Sequence, residues 1–125
     1  MHTTAILSVV KTNDNSNEPL RTPAKFKDLN AVSITSIATV WTPASGKTVT
    51  FMGGSISVSA ACNVLFEDNS AAAGNFLWRT PELSPGVAYN FYLGNGKRLT
   101  AADRVVKATA SAAASITGTL YGAED

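Results

Sequence analysis

The sequence predicts an all-β fold, an antiparallel β-sandwich of jelly-roll type with about eight or nine short strands. Three observations point there. Short stretches of alternating apolar and polar residues recur roughly every 8–14 residues, with Gly, Pro, Asn or Ser between them. Charged residues make up only 15% of the 125 residues and hydrophobic ones 45%, against about 25% charge in an ordinary soluble domain. Ala, Ser and Thr fill the difference, as in strand-rich proteins with neutral faces. Finally, helix competes in one place only, the Ala-rich stretch after Thr100-Ala-Ala-Asp103. That tetrapeptide could cap a helix, but Val105, Val106, Thr109 and the serines that follow are poor helix formers without a clean 3.6-residue period.

Taken in order, residues 5–10 form one plausible strand, followed by the polar, turn-rich segment Lys11-Thr-Asn-Asp-Asn-Ser-Asn-Glu-Pro19. Residues 21–30, with Pro19 and Pro23 close by and mixed charges, read as irregular or extended. Residues 1–30 are therefore expected to form a strand and an irregular arm that docks on a neighbour, and residues 31–125 the sandwich, in one compact domain overall. Val32, Ile34, Ile37 and Val40 suggest a strand with a bulge near Ser36. Trp41-Thr-Pro-Ala-Ser-Gly46 is a turn.

Val49 and Phe51, then Ile56 and Val58, alternate on either side of Gly53-Gly54. This fits a hairpin and equally a single strand bent at a glycine bulge. Val64 and Phe66 lie in phase in the next strand, and residues 76–79 make a short apolar one. Val87, Tyr89 and Phe91 form the clearest alternation, before a glycine-rich turn at Leu93-Gly-Asn-Gly-Lys-Arg98. Residues 104–122 read as two strands around a small-residue turn. In the second of these, Ile116, Gly118 and Leu120 face one way, and Thr117, Thr119 and Tyr121 the other. Such a segment has to be completed by other strands, from its own chain or from a neighbour.

The formal net charge is +1 and no basic run occurs, so nucleic acid and acidic membranes have little electrostatic purchase. Cys62 is the only cysteine, which rules out an intramolecular disulfide; it reads as a small buried apolar residue. The apolar run 5–10 is too short for a secretory signal, and no stretch approaches a membrane span. The expectation is a protein made in a cytoplasm and kept reduced there.

Searches for chemistry fail one by one. Ser45-Gly46-Lys47-Thr48 matches the end of a phosphate-binding loop, but Trp41 stands where the first glycine is required and a strand follows where a helix is needed. Gly94-Asn-Gly96 lacks the third glycine and the helix of a dinucleotide site. His2 is the only histidine, so a His-rich metal site is impossible. The acids Asp28, Glu67, Asp68, Glu82 and Asp103 show no catalytic or calcium-loop spacing and read as solvated surface groups. No catalytic residue, metal or cofactor is expected. Trp41, Trp78, Tyr89, Phe91 and Tyr92 could line a sugar-binding face, but Tyr89 and Phe91, with Phe51, Phe66 and Trp78, fit a core better. Tyr92 then points outward.

Trp41-Thr-Pro-Ala-Ser-Gly-Lys47, Gly54-Ser-Ile-Ser-Val-Ser59, Leu93-Gly-Asn-Gly96, Val106-Lys-Ala-Thr-Ala-Ser111 and Ile116-Thr-Gly-Thr-Leu-Tyr-Gly122 together resemble small virion proteins of tailed bacteriophages. The resemblance spans roughly residues 40–122 and includes no catalytic signature. It implies a compact β-sandwich that assembles as an oligomer, often a trimer, and decorates a capsid or forms part of a fibre or spike. It further implies location in a virion assembled in the bacterial cytoplasm, with further copies of the chain and the major capsid protein, or another virion protein, as partners. The alternative is a receptor- or carbohydrate-binding module of a tail fibre or spike. Tyr92, Tyr121 and Trp41 are the candidate oligomer or surface contacts.

Overall fold

A computed structural model of the chain describes residues 24–68 and 75–125. The described residues form eight strands, β1 (Lys25–Ser33), β2 (Ala38–Trp41), β3 (Val49–Val58), β4 (Val64–Asp68), β5 (Asn75–Arg79), β6 (Tyr89–Arg98), β7 (Val106–Ala110) and β8 (Ser115–Glu124). They form two four-stranded antiparallel sheets, ordered β1-β8-β3-β6 and β2-β7-β4-β5. Each strand of the first half pairs with its mirror-image partner in the second half: β1 with β8, β2 with β7, β3 with β6 and β4 with β5. This is the pattern of one long hairpin rolled over so that its arms alternate between two layers, which is the jelly-roll arrangement. The further pairings β3–β8 and β4–β7 close the roll.

Apolar residues at alternate positions explain why these segments become strands around a single core. Val64 and Phe66 on β4, Ile56 and Val58 on β3, and Ile116 and Leu120 on β8 are all buried between the layers. Phe51, Phe66 and Phe91, from β3, β4 and β6, meet with ring centroids 5.2, 5.6 and 5.9 Å apart and bridge the two sheets. Each fully buried ring of this kind contributes roughly 1.5–3 kcal/mol, and each tilted or offset pair about 0.5–1.5 kcal/mol more.

The structure decides the Gly53-Gly54 question in favour of the bent strand. β3 runs unbroken, with a register shift between Phe51 and Gly53 against both neighbours. Gly53 has φ 141°, and a side chain there would run into the Phe91 carbonyl, so glycine is the residue the bend admits.

Three sequence expectations are corrected. The stretch 32–40 is two strands in different sheets rather than one bulged strand. The phase break near Ser36 is the corner where the chain changes layer, with Ile34 fully buried and bonded to both Ala110 and Ala114 across the end of the sandwich. Leu93-Gly-Asn-Gly96 does not end a strand either. β6 continues to Arg98, and residues 93–96 bulge opposite Met52, since Phe51 pairs with Lys97 and Gly53 with Tyr92. The bulge covers Met52 and Thr50, both buried on the outer side of the sheet. Gly96 packs so close to them that a side chain would collide with both.

The third correction concerns residues 25–30, assigned to the irregular arm: β1 begins at Lys25 and pairs in full register with β8 from Lys25–Gly122 to Leu29–Gly118. Its charges, Lys25, Lys27 and Asp28, and the prolines just before it in the sequence hid it, because an edge strand tolerates charge. The strand expected over residues 5–10 and the arm up to residue 23 lie outside the described residues. After Thr100 the chain is a loop leading into β7, as the strand reading required.

Candidate interaction surface

The outward side of the β1-β8-β3-β6 sheet carries an aromatic row. Register sets Phe26 on β1 opposite Tyr121 on β8, Tyr121 opposite Gly53 on β3, and Gly53 opposite Tyr92 on β6. Because Gly53 has no side chain, the rings on either side of it meet: Tyr121 and Tyr92 have centroids 6.4 Å apart, and Phe26 and Tyr121 also 6.4 Å. Phe26 and Tyr92 remain 64% and 54% exposed. The next row is Asp28, Thr119, Ser55 and Asn90, in which the Thr119 hydroxyl donates to Asp28 at 2.9 Å. Thr117 and Ser57 follow. The face is an aromatic stripe set in hydroxyl and amide groups, with its charges to either side: Asp28 in one flanking row, and in the other Arg98, which stands opposite Thr50 and pairs with Asp125 at 2.8 Å.

Tyr121 anchors the row. Its hydroxyl donates to the Phe91 carbonyl at 2.9 Å. Burial, followed by the neighbouring Tyr92, pushes its phenol above its ordinary value of 10.0, so it stays protonated and donating at neutral pH. The rings are tilted by 57° and 35° to one another and present no continuous plane.

Of the three candidate contacts, Tyr92 and Tyr121 belong to this surface and Trp41 does not. Trp41 is 1% exposed and joins the core. Its indole N–H donates to Glu124 at 2.8 Å, and the same carboxylate accepts the Ala44 amide at 3.1 Å. Burial alone would raise the Glu124 pKa, but those two hydrogen bonds and the nearby Lys27 and Lys25 outweigh it and hold the carboxyl below its ordinary value of 4.5. Trp41 thus pins the end of β8 to the loop after β2. Phe26 was missed because its neighbourhood looked irregular; the alternation Lys25-Phe26-Lys27, opposite Tyr121, was the available signal.

The acids divide by role. Asp68, expected in solvent, is 1% exposed. It accepts from Arg104 Nε at 2.7 Å and from both the amide and hydroxyl of Thr100, at 3.0 and 2.9 Å, fastening the β6–β7 loop to the end of β4. Burial of this charge is tolerable because it is paired and hydrogen-bonded. Asp103 accepts the Gly46 amide at 2.6 Å, so an amide of the phosphate-loop-like stretch is already occupied. Cys62 is buried; burial, then Glu82, raises its thiol pKa, away from reactivity. Among the described residues no group of three or more His, Cys, Asp or Glu is placed to hold a metal ion.

The sheet edges are blunted. On β1, Lys25 and Lys27 lie on the same side of the strand as buried Leu29, and the strand kinks at Ala31, where φ is 49°. On the opposite side of the sandwich, Lys97 of β6 reaches across to the β5 edge, donating to Leu77 O at 2.7 Å over the ring of Phe76. Inward lysines, bulges and capped carbonyls discourage strand-to-strand addition. Comparison with protein-family models, with curated proteins and with solved structures found no match.

Proposed function

We propose that this chain is a non-enzymatic structural protein of a tailed-bacteriophage virion, an oligomer, with a trimer favoured, that binds the outside of the capsid and reinforces or decorates it. The observation that carries the reading is the exposed row Phe26–Tyr121–Tyr92, which is itself uncharged and is flanked on its sheet face by Asp28 and by the Arg98–Asp125 pair. Tyrosine-rich patches that lack charge at their centre are the compositional mark of protein interfaces, and hydroxyl and amide groups around them cost little to desolvate when they find partners. Blunted edges direct association to this face instead of to strand addition. Tilted rings suit interlocking with another protein surface better than flat stacking on sugar rings, which favours assembly over glycan binding at this face. The acids assigned above hold loops in place and have no substrate-facing arrangement.

The test is co-sedimentation of the purified protein with assembled empty shells and with free capsid subunits. Saturable binding to shells that is lost in Tyr92→Ser supports the proposal. Binding to neither, with a monomer at all concentrations, refutes it.

A further inference from the structure

The outward side of the other sheet, β2-β7-β4-β5, holds a second feature. Arg79 on β5, Leu65 on β4 and Thr109 on β7 stand in one register row. At the strand ends Asn63 and Ser111 close the row, making a groove of about 290 Å³. Both closing residues are fixed in place. The Asn63 amide donates to Ser111 Oγ at 2.9 Å, the Ser111 amide to Asn63 O at 3.0 Å, and Asn63 Nδ2 to Thr80 O at 3.1 Å. Arg79 is exposed and makes no ion pair among the described residues. The carboxylate nearest in register, Glu67, lies in the next row opposite Lys107.

We propose that this groove binds an acidic sugar residue, with Arg79 gripping its carboxylate, the hydroxyls of Thr109 and Ser111 facing its ring hydroxyls, and Leu65 beneath its C–H face. A guanidinium fork matches a planar carboxylate in two parallel hydrogen bonds, and here it stands beside an apolar floor flanked by hydroxyl groups, the amphipathic pattern of a pyranose ring. The volume is near the lower bound of about 300 Å³ for small-ligand sites and suits one ring. Among the described residues Arg79 is the one cation lining the groove, and Lys107 in the next row stands opposite Glu67, so a polyphosphate finds no unopposed second cation. The groove lies on the opposite face from the aromatic row, so this inference and the assembly reading fail or succeed separately.

The experiment is amide-resolved NMR titration of the full chain with methyl glucuronide, methyl glucoside and acetate. Saturable shifts at Leu65, Thr109 and Ser111 are expected with the glucuronide, with binding at least about tenfold weaker for the neutral glucoside and for acetate. Arg79→Ala should weaken glucuronide binding by about tenfold or more, the loss of a charge-assisted pair, while Tyr92→Ser leaves it unchanged. Absence of shifts at these residues, equal binding of glucoside or acetate, or an Arg79→Ala protein that binds as the wild type does, would each overturn the proposal.

Discussion

Tyr121 and Tyr92 belong to strands that are not neighbours, yet their ring centroids lie 6.4 Å apart because Gly53, on the strand between them, leaves the space open. The same glycine makes the bend that lets β6 bulge over Met52. A single residue thus shapes both the strand and the surface row.

Gly53→Ala should therefore destabilise the fold by about 2–4 kcal/mol, combining backbone strain at φ 141° with a collision against the Phe91 carbonyl. Chemical denaturation should show a lower midpoint with an unchanged slope.

Tyr92→Ser is expected to behave differently. The side chain is 54% exposed, so stability should shift by no more than about 0.5 kcal/mol, while self-association and shell binding fall sharply. Parallel denaturation and sedimentation measurements separate the two effects.

Asp68→Ala should cost about 2–4 kcal/mol. It removes the acceptor for Thr100 and the charge facing Arg104, whose side chain is 26% exposed and so keeps some solvation. Asp68→Asn retains an acceptor and should cost less, and thermal unfolding of the pair checks the order.

The depressed pKa of Glu124 has a definite sign. Its carboxylate is bound more favourably in the folded state, so its stabilising contribution is present above the unfolded value of 4.5 and lost as pH falls through the lower folded value. Glu124→Gln replaces one acceptor with a donor against the Trp41 or Ala44 N–H. It should cost about 1–2 kcal/mol at pH 7 and flatten the acid limb of the stability curve, measured by denaturant midpoints from pH 7 to 3.

The layered fold was legible in residues such as Val64, Phe66, Ile116 and Leu120, because period-two burial leaves a direct mark on sequence. What was illegible depended on partners distant in the chain. β1 looked irregular because its two lysines and Asp28 make sense only for an edge strand, and Phe26 became part of a surface only once register set it opposite Tyr121. Trp41 read as a surface candidate because nothing local reveals Glu124 as the acceptor for its indole N–H. Asp68 resembled any turn-adjacent acid until Arg104 and Thr100 closed over it. Tyr92, by contrast, was placed correctly by phase alone, since Phe91 beside it had to face inward.

The central claim, association through the aromatic face, is tested most directly by light scattering of the wild-type protein and of Phe26→Ser/Tyr92→Ser across a concentration range. A stable wild-type oligomer, with a trimer favoured, and a variant that falls to the 13.0 kDa monomer are predicted. A wild-type monomer at every concentration, or a variant oligomer indistinguishable from wild type, would contradict the claim.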